Sequence, residues 1–89
     1  MSKKQLTRYV STISLDGVFN NKPIHARVNF SEYSDGTVVV QAVHGRTLSG
    51  FRGIPKITIS KDEFYDLLWH EQDYTVFARE AFRLFGITV

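Results

Sequence analysis

From residue 24 the chain alternates strictly: Ile24, Ala26, Val28 and Phe30 are apolar or small, and His25, Arg27 and Asn29 between them are polar. A period of two sends successive side chains to opposite faces of an extended backbone, so residues 23–31 read as a strand with one buried and one wet face. Upstream, LTRYVSTISL over residues 6–15 is rich in β-branched and aromatic residues and reads as an earlier strand. It is predicted to end at the turn dipeptide Asp16-Gly17, with Asn20-Asn21 carrying the turn on to Pro23. Ser34-Asp35-Gly36 is a hairpin signal and leads into a third strand over 37–43. The register of that strand is open, because either Val38 and Val40 or Val39 and Gln41 can face the core.

The segment 44–54, HGRTLSGFRGI, has glycines at 45, 50 and 53 and reads as a flexible loop. PKITIS follows as a short edge strand over 55–59, with Ile57 and Ile59 on one face and Lys56 and Thr58 on the other. At Ser60 the period changes. Ser60-Lys61-Asp62-Glu63 has the form of a capping box, which predicts a helix over 61–70. A second helix is predicted over 73–85, stopped by Gly86, with Ile87 placed for the apolar contact of a Schellman-type cap. The fold class that follows is α+β: a two-layer, four-stranded antiparallel sheet and then two C-terminal helices packed on one face, ββββαα. The wet face of such a sheet would show His25, Arg27, Asn29, Lys56 and Thr58.

Composition sets the scale of this plan. Eighty-nine residues can build one core and not two, so 1–89 reads as a single domain, with residues 1–5 as a flexible basic tail. The absence of cysteine excludes disulfide staples and thiolate chemistry and fits a reducing, cytoplasmic setting. No run of residues approaches the length of a membrane span, and the lysines of the amino end lack the apolar stretch of a secretory signal.

Charge adds a direction. Residues 1–61 carry nine Lys and Arg against Asp16, Glu32 and Asp35, a formal +6, whereas residues 62–89 carry six carboxylates against Arg79 and Arg83, a formal −4. Within the basic part, the run from Gly36 to Lys61 holds Arg46, Arg52, Lys56 and Lys61 and no carboxylate. Arginine among glycines and hydroxyls suits phosphate, and Phe51 offers a ring for an unpaired base. Arg27, Arg46, Phe51, Arg52 and Lys56 are therefore the candidate nucleic-acid-binding residues, with RNA or other single strands as the partner. Both predicted helices are acidic or apolar and unsuited to a major groove. The alternative is a small inhibitor or adaptor of the kind phages and mobile elements encode, whose basic loop docks on an acidic protein surface.

The first helix supplies a further candidate. Phe64, Tyr65, Leu67, Leu68 and Trp69 spread over roughly 200° of its circumference, wider than a core-facing stripe of about 100°. Tyr65 and Trp69 then either complete a crowded core or form a protein interface, with a partner or in a homodimer. No HExxH, calcium-loop or nucleophile-elbow pattern occurs, so the reading is non-enzymatic, without metal or cofactor.

Overall fold

The computed structural model of the chain describes residues 3–89. Five strands and two helices follow one another: β1 (Leu6–Ser11), β2 (Leu15–Phe19), β3 (Lys22–Tyr33), β4 (Thr37–His44), β5 (Ile57–Ser60), α1 (Lys61–Leu68) and α2 (Tyr74–Arg83). All pairings are antiparallel, in the order β1-β3-β4-β5, with β2 also on β3. Among the described residues, no helix is long and apolar enough to cross a membrane.

The single strand expected over 6–15 is two. β1 pairs with the second half of β3 and β2 with the first, so both occupy the same edge of that twelve-residue strand. Thr12 makes the junction: its amide donates to the Val28 carbonyl at 2.9 Å, and its Oγ1 accepts from the Val28 amide at 2.9 Å. A side-chain oxygen thus stands in for a ladder carbonyl and keeps a buried N–H satisfied where the strand changes course.

The turn is shorter than expected and confined to Asn20-Asn21. Asp16 and Gly17 are within β2, opposite His25 and Ile24, and the chain reverses at Asn20 and Asn21, with φ of 51° and 63°. Two left-handed residues make the hairpin turn whose twist matches its strands, and Asn tolerates that region well. Gly17 has a packing role instead: a Cβ there would lie 2.7 Å from Ile87 Cγ2 and 3.1 Å from a Phe82 ring carbon. The bare backbone admits residues 87 and 88, and Val18 and Thr88 exchange backbone hydrogen bonds of 2.7 and 2.9 Å.

The register settles which face each strand buries. Ala26, Val28 and Phe30 of β3 and Val38, Val40 and Ala42 of β4 turn toward the helices and are fully buried. Phe30 stacks between Phe64 of α1 and Phe77 of α2, at centroid distances of 5.3 and 5.7 Å. Opposite parity puts Arg27, Asn29, Ser31 and Tyr33 of β3, Val39 and Gln41 of β4, and Tyr9 of β1 on the face without helices.

The helix boundaries are set by local chemistry. Ser60 Oγ accepts from the Glu63 amide at 3.2 Å, which is the capping half of the expected box. The reciprocal half differs, since Glu63 Oε1 receives the Ser60 hydroxyl at 3.4 Å and not its amide. Asp73 caps α2 through the Val76 amide at 3.2 Å. Gly86, at φ 74°, follows α2 with Schellman-type bonds from Gly86 to the Arg83 carbonyl and from Ile87 to that of Phe82. At the other end, Gln5 of the expected tail exchanges hydrogen bonds of 2.9 and 2.8 Å with Ser34, and Lys4 lies over the Tyr33 ring. Residues 1 and 2 of that tail lie outside the described residues.

Two outcomes follow. Ser60→Ala should lower the unfolding free energy by about 1 kcal/mol in denaturant titration. Gly17→Ala, which drives a methyl into Ile87 and the 88 carbonyl, should cost roughly 1–3 kcal/mol in the same titration.

Candidate functional site

The face without helices is not flat. Tyr9, Asn29, Ser31, Tyr33, Val39, Gln41, Leu48 and Lys56 line a shallow cleft of about 170 Å³ in it. The lining comes from the three neighbouring strands β1, β3 and β4, with Leu48 and Lys56 added by the chain between β4 and β5. No carboxylate is among these residues. The one carboxylate that strand parity brings to this face is Asp16, at its far end, 2.8 Å from His25 Nδ1.

The segment expected to be a flexible loop is a second, smaller hairpin. His44 N donates to the Ser49 carbonyl at 3.0 Å, Thr47 N to the His44 carbonyl at 3.0 Å, and Gly50 forms an antiparallel bridge with Val43. It leans over one end of the open face. The Thr47 carbonyl accepts from Arg27 Nη2 at 3.4 Å, and Val43, the register partner of Arg27, is fully buried. Arg27 is accordingly half-buried, and its Nε is buried with no hydrogen-bond partner. A side chain expected to reach out from the sheet works here as a tie between strand and hairpin.

The remaining candidates divide. Arg46, Arg52 and Lys56 are exposed, and among the described residues none of them, nor Arg27, is ion-paired. Lys56 stands at the cleft rim. Phe51 does not join them. Its ring lies tilted against that of His44, centroids 4.0 Å apart, and packs against the core, and His44 is in register with Ala26, a core-facing residue. Phe51 therefore lies on the opposite side of the sheet from Arg27 and Asn29, half-buried, where it supports the hairpin from below.

Tyr65 and Trp69 also part company. Tyr65 donates its hydroxyl to the Glu32 carboxylate, at 2.9 and 3.2 Å to the two oxygens. Glu32 is buried, and this bond together with the Arg8 guanidinium over the Tyr65 ring gives Tyr65 a structural place beside the core. Trp69, at the C-cap of α1, is 82% exposed, and Tyr74, at the start of α2, is 64% exposed. The crowded core of the alternative reading does not include Trp69.

Among the described residues, no group of three or more His, Asp or Glu side chains is arranged to hold a metal ion. What the cleft offers instead is non-covalent: two aromatic walls, two amides, hydroxyls and a flanking ammonium. Tyr9, Ser31, Tyr33 and Leu48 were not singled out by sequence reasoning. Tyr33 shares the parity of Arg27 and Asn29 and was legible in principle, by extending the alternation past residue 31. Comparison with protein-family models, with curated proteins and with solved structures finds no match to this chain.

Two substitutions check these placements. Tyr65→Phe leaves a buried carboxylate short of a donor and should cost about 1–3 kcal/mol in chemical denaturation. Trp69→Ala should change stability by no more than about 0.5 kcal/mol, because an exposed side chain has little burial to lose.

Proposed function

We propose that this chain is a small, non-enzymatic, cytoplasmic protein that binds single-stranded nucleic acid across the open face of its sheet. The observation that carries the reading is the carboxylate-free cleft between Tyr9 and Tyr33, with Lys56 at its rim and the unpaired Arg46 and Arg52 on the chain beside it. Exposed aromatic rings on a sheet are a general platform for unstacked bases, because every base has a π face. Cations around them neutralise the phosphates that link those bases, with release of condensed counterions. Arg27 enters through the hairpin that it holds in place. Six of the nine acidic residues lie in the other part of the chain, on and around the helices, which favours approach of a polyanion to the sheet side.

In this reading the stacking residues are Tyr9, which is 49% exposed, and Tyr33, in place of Phe51. Phe51→Ala acts on stability first.

A second reading has its own observation, the exposed pair Trp69 and Tyr74 at the α1–α2 connection. Such rings suit a protein contact, as in an inhibitor or adaptor of the phage or mobile-element type. The two readings use different surfaces, so one set of variants separates them.

Retention of oligo(dT) or single-stranded RNA should be salt-sensitive and should fall more than tenfold in Arg46→Glu/Arg52→Glu, with an unchanged melt. Tyr9→Ala should weaken it by roughly 1–3 kcal/mol. Trp69→Ala should leave it unchanged. Absence of any salt-sensitive retention by the wild-type chain at low ionic strength overturns the proposal.

A further inference from the structure

Three strands form the outer edges of the sheet, and they are guarded unequally. β5 is four residues long, follows Pro55 and Lys56, and runs straight into Lys61 of α1. β2 is covered at Val18, which bonds to Thr88. β1 has neither device: its six residues include no proline, and among the described residues it pairs with β3 alone. Its single charge, on Arg8, is drawn inward, with the guanidinium over the Phe64 and Tyr65 rings and 3.9 Å from Glu71. Leu6 and Tyr9 in this strand and Ile13 just after it are 55%, 49% and 41% exposed. An unguarded edge of this kind is a template for another strand.

The bond at Thr12 shows which backbone groups are free. Thr12 donates its amide to the Val28 carbonyl, so Thr12 and, at a period of two, Val10 and Arg8 direct their backbone groups to β3. Tyr9 and Ser11 direct theirs outward. A second β1 laid antiparallel about a two-fold axis at Val10 sets Tyr9 of each copy opposite Ser11 of the other, and all the outward groups of these residues find partners. The same axis sorts charge. Val10 is the partner of Phe30; Asp16, opposite His25, lies five β3 positions to one side, and Lys4, one residue beyond the Gln5–Ser34 pair, lies five to the other. Both are exposed and both are on the open face, Asp16 beside His25 and Lys4 over the Tyr33 ring. The two-fold therefore carries Lys4 of each copy to Asp16 of the other, whereas Arg8 meets Thr12 and not a second Arg8. A second copy supplies this whole pattern by symmetry.

We propose that β1 is the interface of a homodimer, in which two copies join edge to edge into one antiparallel sheet of ten strands, five from each. The helices of both copies lie on one side of that sheet. On the other side the two open faces run together, with Tyr9 of each copy next to the axis. The pairing needs no nucleic acid and is tested separately from the single-strand reading.

Sedimentation equilibrium of the whole chain should give twice the mass of one chain, dissociating on dilution. Tyr9→Pro removes an amide that β3 does not use, so it should raise the dissociation constant at least about tenfold while far-UV circular dichroism is unchanged. Lys4→Glu and Asp16→Lys should each raise it severalfold, and combining the two in one chain should return it to the wild-type value. Should Tyr9→Pro fail to fold, a cysteine decides the matter. The chain has none of its own, so Val10→Cys can form a disulfide only between copies, and facing residues at such a position have Cα atoms about 4.5 Å apart, within disulfide reach. Oxidised Val10→Cys should run as a dimer on a non-reducing gel, and Thr58→Cys on β5 should not. A wild-type chain that stays monomeric at every concentration leaves the edge to a strand from another protein and overturns the proposal, as does a dimer that persists in Tyr9→Pro.

Discussion

Phe30, fully buried at the middle of the longest strand, stacks on Phe64 from α1 and on Phe77 from α2, and through these two contacts the sheet and both helices share one core. Each helix is short, eight and ten residues, below the length at which an isolated helix is stable in water. Their persistence depends on burying Phe64, Phe77, Ala81 and Phe82 against the sheet. The same contacts fix the polarity of the whole molecule. Once the even-numbered residues of β3 are committed to the helices, the odd-numbered ones must face the other way, and the period of two leaves no freedom in this. The character of the open face is in that sense dictated from the core.

That division separates the demands of stability from those of binding. Val28, Phe30, Val38 and Val40 lie on one side, and Arg27, Asn29, Val39 and Gln41 on the other, within the same strands. A polar cleft on a rigid sheet holds its side chains in fixed relation, which a loop does less well. The 44–50 hairpin extends this rigidity, because Phe51 anchors it to the core side while Thr47 is tied to Arg27 on the other.

Much of the fold was legible because alternation, caps and turn residues pointed the same way. Ile24 to Phe30 announced a half-buried strand, Ser60 with Glu63 announced a helix start, and Gly86 with Ile87 announced a helix stop. The break between β1 and β2 was not legible, since LTRYVSTISL has uniform strand propensity and only the contact of Thr12 with Val28 divides it. Gly17 misled for a related reason: glycine after aspartate has the composition of a turn, yet here it accommodates Ile87, a residue seventy positions away. Register is a tertiary property as well, so β4 could be assigned a face only once Asn29 was seen opposite Gln41. The candidate site was legible in its cations and not in its rings. Net charge can be counted along a chain, whereas the side of a sheet on which Phe51 falls depends on how the hairpin folds back. Tyr65 and Trp69 shared one sequence argument, and only the tertiary hydrogen bond from Tyr65 to Glu32 tells them apart.

The pairing of Val18 with Thr88 bears on the order in which the molecule assembles. β3 and β4 lie next to each other in sequence and can zip locally, but the side of β2 away from β3 is not occupied until residue 88 has been made and has returned to it. The Phe30 ring likewise waits for Phe77. A nascent chain that has completed its sheet therefore exposes an apolar face and an unpaired backbone edge together, the combination that favours pairing with a neighbouring chain. The last helix and the residues after it cover both at once, so completing the fold and covering these surfaces are one event.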